Sequence, residues 1–162
     1  MSTTRCSTSV IFMEAEPRTV GHRPARGTTM RPMELADLVA TMPFAVAVGI
    51  TIDAASKDEV RGHLPWAPER CTTAGLMHGG AVMTLADSLG AVCAFLNLPP
   101  GASTSTITSS TNFFRAVRDG EVTGASRPLH VGRTTIVVQT ELRDANDKLV
   151  ALVTQTQAVL TR

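Results

Sequence analysis

The stretch GLMHGGAVMTLADSLGAVCAF, Gly75 to Phe95, decides the fold. It runs from a loop through paired glycines into an apolar helix that carries one acid, Asp87, in its middle. From Cys71 to Phe114 no other side chain bears a full charge at neutral pH. Ionised groups are rarely buried without a partner, because taking one out of water costs on the order of several kcal/mol. An isolated acid on such a helix is therefore a candidate functional group.

Working outward, the helix spans about five turns, Gly80 to Leu96, and is stopped by Asn97-Leu98-Pro99-Pro100-Gly101. Beyond it, STSTITSSTNFFRA, EVTGASRPLHVG, RTTIVVQTELRD and KLVALVTQTQAVL are β-branched segments. They are separated by Arg118-Asp119-Gly120, Gly132 and Ala145-Asn146-Asp147, the turns of a meander. Before it, Met33, Leu35, Leu38, Val39 and Met42 predict a short helix ending ahead of Pro43. FAVAVGITIDAA and EVRGHLPW then predict two strands joined by Ser56-Lys57-Asp58. The class is α+β. One long helix, apolar nearly all round, and about six antiparallel strands both bury their apolar surface if the sheet curls around the helix. Ile136, Val138 and Leu142 alternate with Thr135, Val137, Gln139 and Glu141, so one sheet face is left for water or a partner.

At 162 residues the chain is one domain of ordinary size, which excludes enzymes with separate cofactor modules. Its formal charge of +1 gives no bulk electrostatic case for nucleic acid or an anionic membrane surface, so an anionic ligand must be held by a local cluster. Cys6, Cys71 and Cys93 are odd in number, far apart and without metal-ligand spacing. They read as free thiols in a reducing compartment, the cytoplasm, with no metal site. The apolar run from Ala81 to Leu98 is interrupted by Thr84, Asp87, Ser88 and Gly90, against a membrane span. Residues 1–29 mix Ser, Thr, Arg and Pro without an apolar period and are expected to be a disordered leader to a domain over 30–162. Met30 is a second candidate start.

HGGAVMTLAD, then TNFFRAVRDGE, then LHVGRTTIVVQTEL together resemble the hotdog-fold acyl-CoA thioesterases of the PaaI and 4-hydroxybenzoyl-CoA thioesterase group. The resemblance runs from about Val46 to Leu160. It implies a hotdog fold, a helix wrapped by an antiparallel sheet, in dimers that commonly pair into tetramers. It also implies hydrolysis of an acyl-CoA, with coenzyme A as part of the substrate and no separate cofactor. Thr72 stands where that family often has an Asn or Gln contacting the thioester oxygen or the water. Ser105 and Thr106 stand in the region where its aspartate-type members place a Ser or Thr. Gly132-Arg133 matches its nucleotide-binding stretch.

Thioester hydrolysis needs a donor for the oxyanion and a base or nucleophile that brings in water. Free N–H groups at a helix start supply the donor, and glycines let the acyl group approach the backbone; Gly79 and Gly80 fit this. Asp87 fits the second role, as a carboxylate in an apolar surround. His78 orients the loop by hydrogen bonding, touches the thioester, or is only a cap-like structural residue before the helix. Asp87 lies eight residues after Gly79, about 12 Å at the helical rise, too far to share one carbonyl within a chain. Two antiparallel helices across a two-fold axis would bring Asp87 of one chain near Gly79 of the other. For the coenzyme phosphates, Arg115, Arg118, Arg127, His130 and Arg133 are the candidate cluster. No GxSxG elbow or P-loop pattern is present. A hotdog dehydratase or hydratase, with His78 essential, and a non-catalytic acyl-CoA binding protein are the rival readings.

Overall fold

The computed structural model describes residues 35–161. The expected leader, 1–29, Cys6 and Met33 lie outside them. The elements are α1 (Leu35–Ala40), α2 (Pro43–Val48), β1 (Thr51–Ala55), β2 (Val60–Pro65), α3 (Gly79–Leu96), β3 (Ser103–Phe113), β4 (Glu121–Val131), β5 (Thr135–Asp144) and β6 (Leu149–Leu160). A single turn of 3₁₀ helix, Pro68–Arg70, lies between β2 and α3.

The strands form one antiparallel sheet in the order β1-β2-β4-β5-β6-β3, and α3 packs on it. Strand alternation divides the two faces. Val122, Ile136, Val138, Leu142, Ala151 and Val153 point to the helix and are buried, whereas Arg61, Arg127, Glu141 and Arg143 line a groove on the other face. Leu85 and Leu89 are fully buried on the helix side. The helix approaches closely where Gly62 pairs with Gly124, because a Cβ on Gly124 would lie 2.6 Å from Leu89 Cδ1. This is the hotdog fold, as expected.

The first part of one expected strand is a helix. FAVAV forms α2, with Pro43 in its first turn, where a missing N–H costs nothing, and Gly49 at its C-cap at φ 87. The β-branched composition that suggested a strand is overridden by these two termini, and β1 begins only at Thr51. The other boundaries agree with the sequence reading, including the β1–β2 hairpin, closed by Ser56 N–H donating to Glu59 O. Interruptions along α3 do not lower its apolarity as far as expected: its 18 residues have a mean hydropathy of 1.6, within the range of a bilayer span by length and composition. Half of it is buried against the sheet, which accounts for that apolarity.

The sheet has two edges. Edge strand β1 is partly covered by α1. Edge strand β3 is eleven residues long, uncharged and largely exposed, with its free side unpaired among the described residues.

Candidate active site

The loop into α3 is fixed by backbone bonds. His78 N–H donates to Arg70 O at 2.7 Å, Met77 N–H to Val117 O at 2.8 Å, and Thr72 N–H to Leu76 O at 2.8 Å. The Trp66 indole N–H reaches Gly75 O at 3.1 Å. Arg70 clamps the end of α2, donating through Nε to Val48 O and through Nη1 to Pro65 O at 2.8 Å. Between these elements lies a cavity of about 650 Å³ lined by Phe44, Ala47 and Val48 of α2 and by His78, Gly80 and Thr84 at the start of α3.

At the helix N-terminus the structure separates the two glycines. His78 is the N-cap, and its Nδ1 accepts the Gly80 N–H at 2.8 Å. An imidazole that accepts at Nδ1 carries its proton on Nε2. The Gly79 N–H has no acceptor among the described residues, so it is the orphan donor at the positive end of the helix dipole. Gly79 is closely overlaid by β3, since a Cβ there would lie 3.2 Å from the Phe113 ring. Of the two candidate oxyanion donors, only Gly79 is free.

Asp87 lies two turns further along and does not line the cavity. In the single chain it is exposed, on a stripe of α3 that also shows Gly80, Met83 and Phe95. The apolar enclosure expected around the carboxylate is therefore not formed by this chain alone. The carboxylate is nonetheless held: Gln155 Nε2 donates to Asp87 Oδ1 at 2.5 Å. Asp87 and Gly79 remain about 12 Å apart along one straight helix.

The sequence reading missed the two glutamines of β6. Gln155 and Gln157 are buried on the inward face, in line with Ala151 and Val153. Gln157 Nε2 donates to Thr106 Oγ1 at 2.9 Å, and Thr104 Oγ1 donates to Gln157 Oε1 at 3.3 Å. The signal was present in LVTQTQAVL, where period two puts both amides on the side of the apolar residues. Thr106 thus faces the helix through its pairing with Gln157, whereas Ser105, the next residue, points the other way. Thr72 is exposed in the loop before α3.

The candidate coenzyme cluster is not one cluster within the chain. Gly132 and Arg133 form the β4–β5 turn with His130 beside them, where a Cβ on Gly132 would meet His130 Nε2 at 2.5 Å. Arg115 and Arg118 lie at the opposite end of the same hairpin, Arg115 beside Asp144 at 3.9 Å. Nine strand positions, about 30 Å at the extended rise, separate the two ends. Arg127 points to the outer face and pairs with Glu59. That Glu59 carboxyl is held below its ordinary value by its hydrogen bond from Arg61, with further help from Arg127. Arg127 is thereby committed to a surface ion-pair network.

A central helix wrapped by a six-stranded antiparallel sheet defines a hotdog protein. The thioesterase superfamily model matches residues 74–151. Over 86 residues the chain is 35% identical to the 1,4-dihydroxy-2-naphthoyl-CoA hydrolase of Escherichia coli, covering 53% of this chain and 63% of that one. Over 82 residues it is 34% identical to the proofreading thioesterase EntH of Cronobacter sakazakii, covering 51% of this chain and 54% of the other. It thus spans between half and two thirds of the length of these two relatives. A crystal structure of a thioesterase from Haemophilus influenzae superposes with a TM-score of 0.76 at 26% identity, covering 81% of this chain and 93% of that one. A putative esterase of Pseudomonas aeruginosa is 30% identical over 114 residues, covering 70% of this chain and 79% of that one, and with the family match the chain belongs to the thioesterase superfamily.

Proposed function

We propose that this protein hydrolyses an acyl-CoA to the free acid and coenzyme A, in the manner of the PaaI-type thioesterases, at sites shared between two chains. Asp87 of one chain acts as general base or nucleophile, and the Gly79 N–H of the other receives the oxyanion. One observation carries the reading: α3 presents a carboxylate and an unclaimed amide on one uncovered helix, too far apart for a single carbonyl. The unpaired edge of β3 supports the pairing, because a long edge without charge or proline invites another strand. Exposed Met83, Phe95, Ile107 and Phe113 on α3 and β3 would be covered by it.

Antiparallel association about a two-fold axis would also lay the Arg133 end of one chain at the Arg115 end of its partner. The basic groups split within one chain would then serve one coenzyme, with Arg133 contacting phosphate. The cavity beside His78 and Gly80, walled by Phe44 and Val48, gives room for an acyl group. His78 serves this site as the cap that fixes the helix start. The free thiols of Cys71 and Cys93 support a cytoplasmic setting. Pairing of dimers into a tetramer is part of the same reading.

The test is a panel of acyl-CoA thioesters followed by thiol release, with Asp87→Asn alongside the native protein. Substituting the carboxylate by its isosteric amide is expected to lower kcat by orders of magnitude while fold and coenzyme binding persist. Near-native turnover by Asp87→Asn would remove the assignment.

A further inference from the structure

We infer that Gln155 is a positioning residue for Asp87 and that Gly90 exists to make room for it. This rests on the reading of Asp87 as the base or nucleophile. Gln155 is fully buried on the inward face of β6, at positions otherwise filled by Ala151 and Val153. Its Nε2 donates to Asp87 Oδ1 at 2.5 Å, while its Oε1, also buried, has no partner among the described residues. A side chain kept only for packing would be apolar here, because a buried amide with an unpaired oxygen is unfavourable. A carboxylate accepts only the amide's nitrogen, so ionised Asp87 also fixes which way the amide points.

The helix is shaped to this amide. Gly90 is one turn beyond Asp87, and a Cβ there would lie 1.8 Å from Gln155 Oε1, so a side chain at this position would push the amide out of its place. Two elements distant in sequence thus meet through a glycine slot and a charge-assisted hydrogen bond. The consequence is chemical. With Oδ1 tied to Gln155, Oδ2 is left as the oxygen that faces the thioester or its attacking water. No other charged group competes for the carboxylate. On α3 the remaining titratable groups are His78 at its start and Cys93, whose buried thiol is pushed up to about 11. Strands β3 and β6 and helix α2 carry none, and Asp53, Arg61, Arg127, Glu141 and Arg143 of the other strands line the outer groove.

The experiment compares Gln155→Leu, Gln155→Glu, Gly90→Ala, Gly90→Ala/Gln155→Leu and Asp87→Asn by kcat and KM on an acyl-CoA, with circular dichroism and melting temperature. Gln155→Leu is expected to lower kcat by about tenfold or more with little change in KM. Gln155→Glu should lower kcat at least as far, because a second carboxylate repels Asp87 where the amide donates to it. Gly90→Ala should follow Gln155→Leu, and the double variant should be no worse than Gln155→Leu alone, since both remove one contact. If Gln155→Leu does not fold, the isosteric Glu variant and Gly90→Ala decide. An inactive Asp87→Asn together with native kcat in these variants, whatever their melting temperature, would make Gln155 a structural filler and overturn this inference alone. An active Asp87→Asn would instead remove the proposed function.

Discussion

Mixing two inactive chains tests the shared site most directly. The lesions are Asp87→Asn, which removes the acid, and Gly79→Pro, which removes the one free amide at the helix start. The backbone tolerates the second: His78 has φ −66 and ψ 133, the region a residue before proline prefers, and proline is at home in the first turn of a helix. A Cβ at this position asks the Phe113 ring to give by only a few tenths of an ångström from the 3.2 Å contact. Loss of one oxyanion donor costs roughly 10² to 10³ in kcat, so each parent alone should retain about 1% of native activity or less. After unfolding and refolding an equimolar mixture, about half the dimers are mixed if association is random. Each mixed dimer holds one doubly damaged site and one intact site, so the mixture should recover about a quarter of native activity, at least twentyfold above either parent. The assay is thiol release, with native mass spectrometry counting mixed dimers. If mixed dimers form and hydrolysis stays at the parental level, the acid and the amide act within one chain and the reasoning from helix length is refuted.

Replacing His78 by Ala removes the side-chain cap on Gly80 and is expected to cost about 1 kcal/mol, a melting shift of about 2 to 4 °C, whereas His78→Asn, itself a good cap, should restore most of it; equal melting of the two variants would contradict the capping role. Thr108→Lys puts a charge on the exposed β3 edge and should yield monomers in light scattering with activity at the Asp87→Asn level; an active monomer would count against both pairing and shared sites. Arg133→Ala should raise KM for acyl-CoA more than it lowers kcat and leave a truncated thioester unaffected, since phosphate contacts bind substrate and transition state alike; equal losses with both substrates would mark a structural arginine. Burial raises the Cys93 thiol from 9.0 to about 11, so the folded chain holds a proton that the unfolded chain has lost, and the free energy of unfolding should fall as pH rises through that window. Cys93→Ala should lack this loss, and denaturant melts from pH 8 to 10.5 would show an unchanged slope if the thiol is irrelevant.

The sequence by itself determined the central helix, the four strands after it and the isolation of Asp87, because these are properties of local pattern. An apolar run of eighteen residues between a glycine pair and a proline stop has few other outcomes, and β-branched segments of about ten residues between polar turns have few as well. It misread FAVAV, where the strand signal of valine competes with a proline start and a glycine end, a contest settled by packing beyond the local window. Tertiary structure alone decided which glycine is free, since that depends on where the His78 ring turns, and that Arg115 and Arg133 stand at opposite ends of one hairpin. It also decided the meeting of Asp87, Gly90 and Gln155. Period two marks Gln155 as inward, but which helix residue it meets is set by how far α3 slides along the sheet, and that position is fixed by the whole core at once.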